Sequence, residues 1–197
     1  MHQRQPEPAL LDRIEQVAER IGDRANAEIH YRRAVQLAPK SGATNNNYGT
    51  FLCAEGNYAE ADKYFERALT VPFYETPAVA WANRGSCALK AGQAELAEQY
   101  LRTAVQKDPN SAQALYELAG ILADRKDYFR ARAFAQRYEA LAGDSPESLA
   151  LGMRIELGRV VSGAGIGGKF ADMSIKAKLT WVMLLMSVML VAVGVMG

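Results

Sequence analysis

Slid against itself, the chain repeats, and no other feature narrows the fold as far. Gly22, Gly56 and Gly92 fall in register, with Lys126 in the fourth place, at intervals of 34, 36 and 34 residues. The longer middle interval is a two-residue insertion, placed at residues 72–77. Five positions after each turn stands an alanine: Ala27, Ala61, Ala97 and Ala131. Seven further on come Ala34, Ala68, Ala104 and, in the fourth copy, Tyr138. Pro39, Pro72 and Pro109 close the loops. Residues 46–69, NNYGTFLCAEGNYAEADKYFERAL, show what one copy is. Tyr48, Phe51 and Leu52 make an i, i+3, i+4 apolar stripe, and Tyr58, Ala61, Phe65, Ala68 and Leu69 make a second. Gly56-Asn57 between them supplies a turn. Small Gly49 and Ala61 predict a close approach of the two helices. Each is too short to be stable alone in water, so the pair needs neighbours.

The period and the W-x2-L-G…A…F…P pattern resemble the tetratricopeptide repeat, matched best by Trp81, Gly85, Ala97, Leu101 and Pro109. The expected fold is therefore an all-α, right-handed solenoid of about four helix-turn-helix repeats, followed by a C-terminal hydrophobic helix. Residues 1–7 read as a flexible N-terminus. The repeat domain spans residues 8–157, with repeats at about 8–41, 42–77, 78–111 and 112–145 and a partial capping helix at 146–157. Residues 158–178 read as a Gly-rich linker, and 179–196 as a membrane-spanning helix.

A net charge of +1, with acids and bases interspersed, gives no electrostatic footprint for nucleic acid. The opening MHQRQPEPAL has no apolar signal segment, which predicts either a cytoplasmic protein or a start further upstream. His30 lacks companions at ligand spacing, so no metal site is expected. Cys53 and Cys87 lie 34 residues apart, each late on a first helix. Without a CxxC or Cys/His cluster, zinc is disfavoured. Spacing leaves two readings open: two small buried apolar side chains, or a disulfide across neighbouring repeats in an oxidising compartment.

Polar residues off the apolar stripes mark a candidate peptide-binding groove lined by first helices. One of Asn45, Asn46 and Asn47 is expected to cap its helix. Asn46, Asn47 and Thr50 then contribute from the second repeat, and Asn83, Ser86 and Lys90 from the third. Tyr116 and Asp124 extend the surface into the fourth. No catalytic residues, cofactor or small-molecule substrate are expected.

A narrower resemblance rests on Asn46-Asn47-Tyr48-Gly49 with Phe51-Leu52-Cys53, on Tyr74-x-x-Pro77, on Gly85-x-Cys87 and on SLALGMRIE. Over residues 39–156 the chain is similar to the type IV pilus biogenesis/stability proteins of the PilF/PilW kind. That resemblance implies a non-enzymatic binding scaffold, an outer-membrane pilotin that assists secretin assembly from the periplasmic face, with a secretin or another pilus component as partner. It also favours a bridge between Cys53 and Cys87. The lipoprotein signal and lipidated cysteine of that family are not in this stretch, and its further capping helices are replaced after Gly158.

The replacement has two parts. GAGIGGK at residues 163–169 fits the spacing G-x4-G-K of a phosphate loop, but Phe170 follows it where Ser or Thr should hold magnesium. A flexible linker is the better reading, with a nucleotide-dependent enzyme the remote one. Residues 179–196 form an uncharged apolar run preceded by Lys169, Lys176 and Lys178, as expected of a membrane anchor. An anchor of that kind would leave the repeats cytoplasmic, and the alternative function is then a membrane-anchored adaptor. Met173 to Leu179 and the run behind it resemble the opening of a methyl-accepting chemotaxis receptor, and a frameshift or fusion is expected to account for residues 158–197.

Overall fold

A computed structural model of the chain describes residues 24–162. Within them run α1 (Arg24–Leu37), α2 (Gly42–Ala54), α3 (Tyr58–Thr70), α4 (Pro77–Lys90), α5 (Ala94–Lys107), α6 (Ala112–Asp124), α7 (Tyr128–Ala142) and α8 (Pro146–Val161). The protein is an all-α solenoid. Helices pair as hairpins α2/α3, α4/α5 and α6/α7, and each hairpin packs on the next, with α1 on α2 at one end and α8 on α7 and α6 at the other. The first half of repeat one, with Gly22, lies outside the described residues. So do the GAGIGGK stretch and the apolar run at 179–196. Among the described residues no helix is long and apolar enough to cross a membrane.

Small residues set the spacing within each hairpin. A Cβ on Gly49 would stand 3.0 Å from the Phe65 ring and 3.3 Å from the Ala61 carbonyl. One on Gly85 would stand 2.6 Å from Leu101 Cγ. Ala61, Ala97 and Ala131 are wholly buried on the facing helices. Three apolar clusters follow along the stack, around Phe65, around Leu101 and Leu118, and around Leu122 and Ile155.

The turns within repeats share one left-handed residue: Gly56 at φ 79°, Gly92 at 76° and Lys126 at 62°. Lysine thus adopts the conformation that glycine supplies elsewhere. The N-cap expected from the asparagine run is corrected. Ser41 caps α2, accepting from the Thr44 amide at 3.2 Å. Asn45 is fully buried inside the helix and donates to the Pro39 and Ser41 carbonyls at 3.0 and 2.7 Å. A serine after a proline loop starts the helix one turn before the asparagines.

The insertion forms the loop between α3 and α4. Tyr74 lays its ring over the start of α2, where a Cβ on Gly42 would be 2.5 Å from Tyr74 Cδ2. Next to it Phe73 is entirely exposed, with φ 59°. At the far end α8 buries Leu151 and Ile155 and turns Leu149, Met153 and Leu157 to solvent. It runs to Val161, past the predicted end of the capping helix at 157.

Candidate functional site

The first helices α2, α4 and α6 sit side by side, each touching the next directly as well as through the intervening second helix. Polar side chains cross these seams. Asn83 Nδ2 on α4 donates to Asn46 Oδ1 on α2 at 3.1 Å, and Asn46 Nδ2 lies 3.5 Å from Asn47 Oδ1. On the next seam Ser86 Oγ donates to Glu117 Oε1, and Gln113 Nε2 donates to Ser86 Oγ at 2.6 Å. The result is a ladder of amide, hydroxyl and carboxylate groups over three repeats.

Membership of this ladder separates the eight predicted groove residues. Asn46 is only 6% exposed and its acceptor is held by Asn83, so it orders the seam. Asn47, Asn83 and Ser86 are half-buried along it. Thr50 is exposed, but its hydroxyl donates back to the Asn46 carbonyl at 3.0 Å. Lys90 lies exposed at the end of α4. Tyr116 is exposed on one side, with its ring centroid 5.2 Å from that of Tyr138 on α7. Asp124 stands at the rim and pairs with Arg154 at 3.6 Å.

Sequence reasoning missed Glu117 and Gln113. Glu117 is mostly buried, and its Oε2 has no hydrogen-bond partner. Burial pushes its carboxyl above the usual carboxylate range, against the opposing pull of the Ser86 and Gln113 bonds and the Lys90 charge. A polar residue at a first-helix position equivalent to Asn83 was the available signal, but its partner lies 31 residues away. Arg84 was missed as well. It forms a bidentate pair with Asp62 on α3, at 2.6 and 2.9 Å, and stacks 4.4 Å from the Tyr100 ring centre. With its side chain only 11% exposed, Arg84 is a joint between repeats two and three, not a free cation.

Cys53 and Cys87 are joined, tying α2 to α4 with a Cα–Cα distance of 5.8 Å. Both are nearly buried, at the turn-side ends of their helices. Among the described residues no cluster of His, Cys, Asp or Glu suits a metal. What the surface offers is a row of hydrogen-bonding groups, one aromatic pair and two opposite charges at its rim.

Residues 41–110 match a family model for the tetratricopeptide repeat, and residues 82–146 match a second model of the same description. An uncharacterized protein of Haemophilus influenzae is 35% identical over 97 residues, 49% of this chain and 54% of that protein. The type IV pilus assembly protein PilF of Pseudomonas aeruginosa is 26% identical over 129 residues, 66% of this chain and 51% of PilF. The chain thus spans about half the length of the curated relatives it matches. Among solved structures, PilW, a widely conserved type IV pilus biogenesis factor, superposes with a TM-score of 0.70 at 27% identity, over 88% of this chain and 83% of PilW. YrrB, a tetratricopeptide repeat protein with an unusual peptide-binding site, gives 0.61 at 17% identity over 80% and 78%, a likeness of fold alone.

Proposed function

The chain belongs to the tetratricopeptide repeat family, and from that premise we propose that it is a non-enzymatic scaffold of type IV pilus biogenesis that binds a secretin subunit. The observation that carries this reading is the likeness to PilW in both sequence and fold over most of the described repeats. PilF supports it through a separate sequence match. The cystine between Cys53 and Cys87 suits an oxidising compartment, and so favours the periplasmic face of a membrane over the cytoplasm. Attachment to a membrane through residues 179–196 belongs instead to the alternative reading, a membrane-anchored adaptor with cytoplasmic repeats. The full chain then resists carbonate extraction, whereas a chain ending at residue 172 does not.

Binding is assigned to the ladder surface. Asn47 lies beside the Asn46 seam with amide capacity for an extended backbone. Tyr116 offers a rigid ring braced by Tyr138. Lys90 and Asp124 mark opposite charges at the rim that set direction, each worth little in energy. Replacing Asn47 and Tyr116 together by Ala is expected to weaken binding of the purified secretin subunit by about tenfold or more, about 1.4 kcal/mol. Calorimetry on the folded double variant measures it. Unchanged affinity moves the binding surface elsewhere on the solenoid, and no binding by the unaltered chain removes the secretin as partner.

A further inference from the structure

The loop between α3 and α4 differs from its counterparts in the other repeats. After Pro39 and Pro109 the tips are the polar Lys40 and Asn110, and the helix begins within three residues. After Pro72 the tip is Phe73, and the two inserted residues carry the chain further before Pro77. Phe73 is wholly exposed. Its φ of 59° places it in the left-handed region, which a bulky side chain rarely occupies and which the turns at Gly56 and Gly92 give to glycine.

This conformation is held from both sides. Tyr74 packs over Gly42 and is half-buried. The Tyr74 amide donates to the Val71 carbonyl at 3.4 Å, and the Val79 amide to the Thr76 carbonyl at 3.1 Å. Pro72 and Pro77 restrict the backbone on either side. The loop is thus fixed, and what it fixes is an apolar ring in water on a backbone that the ring itself disfavours. Folding alone gains nothing from either feature.

We propose that Phe73 is a preset anchor for the protein partner, its ring entering an apolar pocket on the partner's surface, at the inter-repeat edge of the solenoid and apart from the ladder. This rests on the scaffold reading and adds a second point of contact to it. A backbone already set before binding leaves only the ring's own rotamers to be fixed on docking, which lowers the ordering cost of an aromatic contact. A lipid surface is the weaker occupant. One ring does not hold a protein on a bilayer, where stable attachment takes more than one signal. Glu75, exposed two residues on, is repelled by anionic headgroups.

The test uses the full chain, unaltered and as Phe73→Ala and Phe73→Gly, with the purified secretin subunit as probe. Both variants are expected to bind about tenfold more weakly or worse, as for loss of a buried aromatic anchor. Phe73→Gly, freed of the left-handed penalty, is expected to melt at the same temperature as the unaltered chain or higher. Equal affinity of the variants, where the unaltered chain binds, overturns the anchor and leaves the scaffold reading intact. A lower melting temperature for Phe73→Gly also overturns it, since the ring would then serve the fold. Loss of flotation with phosphatidylethanolamine/phosphatidylglycerol vesicles on Phe73→Ala overturns it in favour of a lipid contact. No binding by the unaltered chain overturns the scaffold reading and this inference with it.

Discussion

Lys126 holds the left-handed conformation that Gly56 and Gly92 hold at the same point of their repeats. A Cβ there crowds the following carbonyl, at a cost of about 1–2 kcal/mol, partly offset because glycine loses more freedom on folding. Lys126→Gly is therefore expected to stabilise the protein by about 0.5–1 kcal/mol, seen as a higher denaturant midpoint with an unchanged slope. Glu117 presents the opposite case, a charge in an unfavourable place. Its carboxyl titrates higher in the folded protein than in the unfolded chain. The folded state therefore holds more protons across that window, and stability is gained as pH falls through it and lost as pH rises. Glu117→Gln is expected to be more stable than the unaltered protein near neutral pH. The difference should vanish below the ordinary carboxylate range, and thermal melts across pH would show it. The repeat register carried a signal for the conformation of Lys126, because its counterparts Gly22, Gly56 and Gly92 are all glycines. The burial of Glu117 was not legible, since periodicity shows only that a residue lies off its own helix's stripe. Which neighbour covers it depends on the next repeat.

At the scale of the helix pair, the sequence was most informative where size mattered. Gly49 opposite Ala61 could be read as a close approach, and the structure places it so, with Gly85 against Leu101 as its counterpart in the next repeat. Gly85→Ala would set a methyl group 2.6 Å from Leu101 Cγ in a fully buried site. Overpacking of this sort costs about 1–3 kcal/mol, measurable by denaturant unfolding. Helix ends were harder. Gly42-Ala43-Thr44 resembles a loop and Asn45-Asn46-Asn47 a start, yet Ser41 begins the helix. The asparagines are polar for a different reason: Asn45 ties back to the loop and Asn46 bonds across to Asn83. The joint made by Arg84 and Asp62 was equally hidden, because an arginine on a helix ordinarily reads as solvated surface. Here aromatic faces at Tyr100 and Trp81 cover it.

At the scale of the stack, the order of the described hairpins followed from the period, since each unit meets only its neighbours and the same contacts recur. What the period could not assign was the covalent tie, because spacing alone admitted either a bridge or two buried thiols. Replacing Cys53 and Cys87 by Ser is expected to cost about 2–4 kcal/mol, measured by unfolding under non-reducing conditions. Reduction of the unaltered protein should cost a similar amount. The bridge also has a mechanical meaning. A stack of short hairpins pulled at its two ends would unravel inward one repeat at a time. At Cys53 and Cys87 the force passes through sulfur and bypasses the 34-residue separation between them, withholding about 115 Å of extension. Under tension the second turn of the solenoid, with the insertion loop inside it, is the length of chain that cannot be drawn out straight.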